Sequence, residues 1–136
     1  MEEVRYIDTN IFLRYLTADV PEKAKKCRSL INALGEGALE AETSDLVIAE
    51  LIWVLESYYK LKPHDVSEKV SFILGLRGLK IHNKRMLLEV LTEYAGKKVD
   101  FIDAYNYVYM KHNSIKEIYS YDAKDCRKLG VSRKEP

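Results

Sequence analysis

Three residue types that often shape small proteins are scarce in this 136-residue chain, which has two cysteines, three prolines and six glycines. Cys27 and Cys126 lie far apart and lack the spacing of a zinc site, so a disulfide-stapled or zinc-built domain is not expected. A reducing, cytoplasmic setting is the expectation instead. No segment is apolar enough to cross a membrane, since Glu50 and Glu56 interrupt the most apolar region. The charged residues 1–5 lack the apolar core of a signal peptide.

An excess of one charge sign is also missing, because 22 Lys and Arg residues face 21 Asp and Glu residues for a net charge of +1. This excludes an acidic tail protein and a strongly basic nucleic-acid coat, so any nucleic-acid contact must come from local patches. Hydrophobic residues make up 47% of the chain, which is enough for one packed core. With no linker, repeat or low-complexity tract, a single domain over residues 1–136 is predicted.

Short strand-like segments alternate with helical ones along the chain. Strands are predicted near 4–7, 39–43, 79–81, 115–121 and 131–133, and helices over about 11–16, 21–34, 45–59, 63–74, 84–95 and 100–112. Asp19 is expected to cap the second helix and Gly35 to end it, while Asn83 caps and Gly96 ends the fifth. Because no hairpin signal is present, the pattern predicts an α/β fold with a parallel sheet and helices on both faces.

Four carboxylates fall at unusual places in this scheme. Asp8 and Asp122 follow the ends of strands, Asp103 lies at the start of a helix, and Glu50 lies on an apolar helix face. An unpaired charge buried on such a face would be costly. Each position also has a structural explanation: helix caps or turns for the three aspartates, and a side chain that reaches water from the edge of the stripe for Glu50.

Taken together, the four acids predict a shared site. Ligands of open parallel sheets bind beyond the carboxyl ends of the strands, so strand ends and a helix N-terminus can converge on one edge. Clustered carboxylates repel each other, and Mg²⁺ or Mn²⁺ prefers such oxygen ligands. A divalent ion held in this way polarises a phosphoryl oxygen and activates water. The chemistry predicted from the acids is therefore hydrolysis of a phosphodiester.

Short motifs around these acids resemble those of a known family; they are Asp8-Thr9-Asn10, Val47-Ile48-Ala49-Glu50-Leu51, Asp100-Phe101-Ile102-Asp103-Ala104 and Ser120-Tyr121-Asp122. In this order and spacing, the chain from Arg5 to Pro136 resembles the PIN-domain ribonucleases, most of all the VapC-type toxins of toxin–antitoxin pairs. The resemblance implies a three-layer α/β/α sandwich around a central parallel sheet of about four or five strands. It also implies an endoribonuclease that depends on Mg²⁺ or Mn²⁺, forms a homodimer and is blocked by a small antitoxin protein.

The resemblance also implies residue roles. The family's acidic metal-binding and catalytic positions fall on four residues: Asp8, Glu50, Asp103 and Asp122. Thr9 and Asn10 would orient the first of these acids, and Ser120 matches a small hydroxyl residue of the family. Asp125 could share or exchange the last acidic position with Asp122. Asp100 is an additional acid near the site to which the resemblance gives no part, and Tyr121 stands where phenylalanine is common.

Contact with RNA requires local positive charge and exposed rings. Lys124, Arg127 and Lys128 lie just beyond the last acid and are the predicted phosphate contacts. Basic groups over 23–28 and 77–85 are typical of solvated faces. Ten tyrosines are many for this length, and some are expected at a partner surface or stacked on bases. The three histidines are not expected in the site, which argues against a metal-independent mechanism based on paired histidines.

Three alternatives stay open. A PIN nuclease that processes RNA without an antitoxin would have the same fold and site. A degenerate PIN domain that serves as a binding scaffold would bind no Mg²⁺ or Mn²⁺ and would not need four repelling carboxylates. A receiver-like phosphoacceptor domain shares the sheet, but it calls for paired acids after the first strand, where this chain has only Asp8.

Overall fold

The computed structural model describes residues 3–136, so Met1 and Glu2 of the charged N-terminus considered above lie outside the described residues. The chain groups into two compact units, the first extending to Lys84 and the second covering Arg85–Pro136. In the described part of the chain, every helix is too short or too polar to span a membrane.

The first unit contains a three-stranded parallel sheet with the strand order β1-β2-β3. Its elements in chain order are β1 (Arg5–Tyr6), α1 (Thr9–Thr17), α2 (Pro21–Glu36), β2 (Ala41–Thr43), α3 (Asp45–Ser57), α4 (Pro63–Leu74) and β3 (Leu79–Ile81). Arg5 pairs with Ala41, and Ala41 pairs in turn with Leu79. All three strands therefore end at the same edge of the sheet.

The second unit contains a two-stranded parallel sheet, β4-β5. The helix α5 (Lys84–Lys97) leads into it, followed by α6 (Phe101–His112), β4 (Glu117–Tyr119), α7 (Ala123–Leu129) and β5 (Ser132–Lys134). All five predicted strands form and all their pairings are parallel, so the predicted α/β fold class is confirmed. The strands pair as a group of three and a group of two.

Apolar residues at helical spacing explain the core of each unit. In the first unit, fully buried side chains come from every helix and include Phe12, Ile31, Ile48, Leu55 and Ile73. Gly78 is required before β3, because a Cβ there would collide with the carbonyl oxygen of Leu39. In the second unit, the buried positions of α5 and α6 follow the same helical period and include Val90, Tyr94, Ala104 and Val108.

Several expected helix ends are wrong. Asp19 does not cap α2; its carboxylate instead accepts hydrogen bonds from Tyr59, Arg14 and Thr17, and Val20 occupies the cap position without a side-chain bond. Gly35 lies inside α2, which ends at Gly37 because that glycine adopts the left-handed conformation, with φ of 76°.

The fifth helix also departs from its predicted boundaries. Gly96 lies inside α5, and the left-handed residue after the helix is Lys98, with φ of 54°. Asn83 precedes the helix in a left-handed conformation, with φ of 61°, rather than in the extended conformation of an N-cap. The helix α7 was not predicted, because its seven residues are too few to show a helical period.

Candidate active site

In the first unit, the carboxyl ends of β1 and β2 are tied together just before Asp8. The amide of Ile7 donates to the carbonyl of Glu42 at 2.8 Å, and the buried hydroxyl of Thr43 donates to the carbonyl of Ile7 at 2.8 Å. Both bonds fix the backbone that leads into Asp8. The sequence did not indicate this role of Thr43, and the only feature that could have indicated it is its position at the end of a predicted strand.

Asp8 caps α1 and is exposed. Its Oδ1 accepts a hydrogen bond from the amide of Thr9 at 2.7 Å, so the structural explanation of this acid holds. The Thr9 hydroxyl is buried and finds no hydrogen-bond partner among residues 3–136. Thr9 therefore orients Asp8 through its backbone, and Asn10 beside it is exposed.

Glu50 lies in the second turn of α3, which begins directly after β2 with the Ser44 side chain as its cap. The side chain of Glu50 is exposed, which agrees with the interpretation that it reaches water and not with a charge buried on an apolar face. Its neighbours one turn away, Leu46 and Trp53, are exposed as well, at 79% and 66%. This face of α3 thus presents a carboxylate flanked by apolar side chains.

In the second unit, the fold brings three carboxylates together. Asp103, Asp122 and Asp125 each offer an oxygen, and these oxygens lie within 4.8 Å of one another. Asp103 comes from the first turn of α6, while Asp122 and Asp125 lie at the start of α7. We call these three residues the acid cluster. Both residues that the sequence left as alternatives for the last acidic position belong to it.

Local hydrogen bonds explain how α7 presents its two acids. Oδ1 of Asp122 accepts the amide of Asp125 at 3.1 Å, which is the N-cap bond of the helix. The amide of Asp122 donates to the Ser120 hydroxyl at 3.0 Å. Asp122 is therefore held from both sides.

The second α7 acid has a further role, because Oδ2 of Asp125 accepts the amide of Asp100 at 3.1 Å. Asp100 occupies the cap position of α6, but its own side chain makes no capping bond. Asp125 thus joins the start of α6, which carries Asp103, to the start of α7. This link connects the elements that supply the acid cluster, and the spacing of the sequence did not reveal it.

Electrostatics in the acid cluster disfavour three negative charges. Partial burial, a hydrogen bond with Asp125 and the negative charge of Asp122 raise the pKa of Asp103 to about 7. The N-terminus of α6 would by itself favour a charged acid, so burial and the neighbouring carboxylates outweigh the helix dipole. A cation in the cluster would reverse this balance, because it favours the charged form of every acid around it.

The donor set fits a hard divalent ion. It consists of carboxylate oxygens without cysteine or histidine, which are the ligands that Mg²⁺ and Mn²⁺ prefer, and a cluster of three leaves room for water ligands. Among the described residues, the histidines lie elsewhere: His112 bonds Glu89 at 2.7 Å, and His64 lies 3.9 Å from Glu68. The cluster therefore has the donor set of a hard divalent-cation site.

The three basic residues after the cluster lie on one face of α7, at positions three and four apart. Lys124, Arg127 and Lys128 are all exposed. Lys128 donates to the carbonyl of Lys98 at 3.1 Å, so its amino group also stabilises the turn before α6. Lys124 and Arg127 extend the positive charge of this face next to the acids.

Comparison with known proteins identifies the family of this chain. The chain matches the PIN domain over residues 5–130 and belongs to that family. It is also similar to a protein from Aquifex aeolicus (strain VF5) called "VapC ribonuclease", with 26% identity over 133 residues that cover 98% of this chain and 97% of the relative. The predicted resemblance to VapC-type PIN domains is confirmed.

Proposed function

We propose that the chain is a metal-dependent endoribonuclease that hydrolyses RNA phosphodiester bonds. The observation that carries the proposal is the acid cluster of Asp103, Asp122 and Asp125, which lies in a chain of the PIN family. The similarity to a relative named as a ribonuclease supports the same activity. The family match runs through both compact units, which supports one functional domain over residues 1–136.

Asp103, Asp122 and Asp125 are proposed to hold Mg²⁺ or Mn²⁺, and Asp8 and Glu50 are proposed as further metal-binding acids, as the resemblance to the family implies. A bound ion would supply charge neutralisation at the phosphate and would lower the pKa of water. The chain itself supplies the positions. The Asp122 amide donates to the Ser120 hydroxyl, the Asp125 amide donates to the Asp122 carboxylate, and the Thr9 amide donates to the Asp8 carboxylate. A carboxylate of the cluster accepts the proton of the attacking water.

Substrate binding is proposed for the basic face of α7. Lys124 and Arg127 would contact phosphates on either side of the cleaved bond, with Lys128 assisting from its place beside Lys98. Contacts to phosphates position the RNA on the protein but do not distinguish one base sequence from another. Base selection must therefore come from other side chains.

A cleavage assay tests the activity. Labelled cellular RNA is incubated with the protein in Mg²⁺, in Mn²⁺ and in chelator, beside the variants Asp103→Asn and Asp65→Asn. Asp65 is an exposed acid in the first turn of α4 and provides the same chemical change outside the acid cluster. We expect cleavage only with metal, retained by Asp65→Asn and lost in Asp103→Asn. Cleavage in chelator, or by Asp103→Asn at the normal rate, would refute the assignment.

We further propose that the nuclease is a cytoplasmic toxin held inactive by a small antitoxin. Cys27 and Cys126 are both buried free thiols, which is compatible with a reducing setting. An antitoxin could place a basic side chain among the acids and so compete with the metal. A small antitoxin gene next to this one is expected, and co-expression of its product should suppress cleavage. A gene that stands alone would favour the RNA-processing alternative.

A homodimer is part of the same proposal. The exposed apolar side chains Leu46 and Trp53 on α3 are the support for it, because exposed apolar patches mark interaction surfaces. Replacing Trp53 with serine should lower the mass measured by light scattering from that of a dimer to that of a monomer. An unchanged dimer would place the interface elsewhere.

The scaffold alternative predicts the opposite metal behaviour. A degenerate domain would show no heat of Mg²⁺ or Mn²⁺ binding in calorimetry. A scaffold would also be more stable with an uncharged residue at position 103, because the carboxylates of Asp122 and Asp125 repel a charged Asp103.

A further inference from the structure

Two tyrosines next to the acid cluster are largely exposed. Tyr119 is 73% exposed at the end of β4, and Tyr121 is 74% exposed directly before Asp122. Tyr119 is the last residue of β4, and Tyr121 lies in the bend between β4 and α7. Among residues 3–136, no aromatic ring or cation packs against the face of either ring. These rings are therefore free to bind a partner.

The backbone that carries Tyr121 is held in place although the ring is exposed. On the preceding residue, the Ser120 amide donates to the carbonyl of Lys134 at 3.1 Å, and Arg133 donates to the Ser120 carbonyl at 3.1 Å. On the following residue, the Asp122 amide donates to the Ser120 hydroxyl at 3.0 Å. A ring mounted on such a backbone loses little conformational freedom when a ligand stacks on it.

The charges around Tyr121 define the kind of ligand. Asp122 of the acid cluster is its direct neighbour, so the two Cα atoms are about 3.8 Å apart. The exposed cations Lys124 and Arg127 follow within two turns of α7. An exposed ring beside cations is the arrangement by which proteins bind unpaired nucleotides, with phosphates on the cations and a base on the ring.

We propose that Tyr121 stacks on an unpaired base adjacent to the cleaved phosphate and thereby strengthens RNA binding. This inference rests on the proposed ribonuclease activity. The ring carries the contact rather than the hydroxyl, because stacking uses the π face. A base held in a duplex cannot reach the ring, so the preferred RNA is unpaired at this position.

The test measures binding of a 12-nucleotide unpaired RNA with a single 2-aminopurine, whose fluorescence falls on stacking. To prevent cleavage, every protein carries Asp103→Asn. The further changes are Tyr121→Leu, Tyr121→Phe, Tyr121→Trp and, as a matched control, Tyr58→Leu. Tyr58 is 75% exposed at the end of α3. Circular dichroism checks that each variant is folded.

We expect Tyr121→Leu to bind about tenfold more weakly, which is within the range for loss of one stacked base. The phenylalanine, tryptophan and control variants should bind like the parent protein, and only Tyr121→Leu should lose the fluorescence decrease at the adjacent nucleotide. In the protein with Asp103 intact, Tyr121→Leu should raise KM and leave kcat unchanged, as expected for loss of uniform binding.

The outcomes separate this inference from the proposed function. If the intact protein cleaves no RNA with Mg²⁺ or Mn²⁺, the proposed function is wrong and the inference falls with it. If it cleaves RNA and Tyr121→Leu has the parent KM and affinity, only the stacking inference is overturned. A Tyr121→Leu variant that cleaves normally but loses a protein partner would assign the ring to a protein surface and likewise overturn the inference.

Discussion

Removing one charge from the acid cluster should stabilise the protein when no metal is bound. In Asp103→Asn, the two repulsions between Asp103 and the carboxylates of Asp122 and Asp125 disappear. At separations up to 4.8 Å in surroundings close to water, each repulsion costs about 1 kcal/mol, and salt screening reduces it further. The variant should therefore gain about 1–2 kcal/mol at pH 8, or about 4–8 °C in melting temperature.

The effect should depend on pH with a definite sign. The pKa of Asp103 is about 7 in the fold against 3.8 as the reference value. A raised pKa means that the folded protein binds the proton more tightly, so the wild type loses stability as the pH rises from about 4 to about 7. Asparagine cannot ionise, and the advantage of Asp103→Asn should therefore shrink towards zero at pH 4 and be complete above pH 7.

The assay is thermal unfolding in chelator at pH 4, 6 and 8, with Asp65→Asn as the control. Addition of Mn²⁺ at pH 8 should reverse the order, because binding at a hundredfold excess over Kd stabilises the wild type by about 2.7 kcal/mol and the variant by less. If Asp103→Asn is no more stable than the wild type at pH 8 in chelator, the cluster does not repel as described. If Mn²⁺ stabilises both proteins equally, Asp103 is not a ligand.

Three further outcomes follow from the contacts around the site. Asp122→Asn should lose cleavage but keep the α7 cap, because asparagine also caps helices. Asp122→Ala should lose cleavage and also about 1 kcal/mol of the free energy of unfolding, measured by chemical denaturation. If Asp122→Ala is as stable as the wild type, Asp122 does not cap α7. Thr43→Val should cost about 1–3 kcal/mol because it leaves the Ile7 carbonyl unpaired, while Thr43→Ser should cost less. Lys124→Ala and Arg127→Ala should each reduce the slope of log affinity for single-stranded RNA against log salt by about 0.7, and an unchanged slope would exclude a phosphate contact.

Much of the fold follows from local patterns in the sequence. Pro63 begins α4 at the position that its missing amide favours, and Ser44 caps α3 through its hydroxyl. The strand Leu79–Ile81 was predicted to the residue, because its alternating apolar residues are bounded by Gly78 and the turn after it. The ends of the helices were harder to predict. Either Gly35 or Gly37 could end α2, and only the backbone conformation shows which of the two does.

The candidate site was only partly predictable for the same reason. Asp8, Asp103 and Asp122 stand at element boundaries that the pattern locates, so their positions could be foreseen. The pairing of Asp125 with the Asp100 amide, and of Thr43 with the Ile7 carbonyl, joins residues 25 and 36 positions apart. No local pattern encodes such contacts. The exposure of Glu50 stayed one of two alternatives, because apolar neighbours on a helix do not reveal whether their shared face is covered.

The central proposal is that the acid cluster of Asp103, Asp122 and Asp125 binds a divalent ion. Calorimetric titration with Mn²⁺ of the wild type, Asp103→Asn, Asp122→Asn and the control Asp65→Asn tests it directly. We predict that either site variant alone abolishes or strongly weakens Mn²⁺ binding while the control binds like the wild type. Undiminished binding by both Asp103→Asn and Asp122→Asn would contradict the proposal.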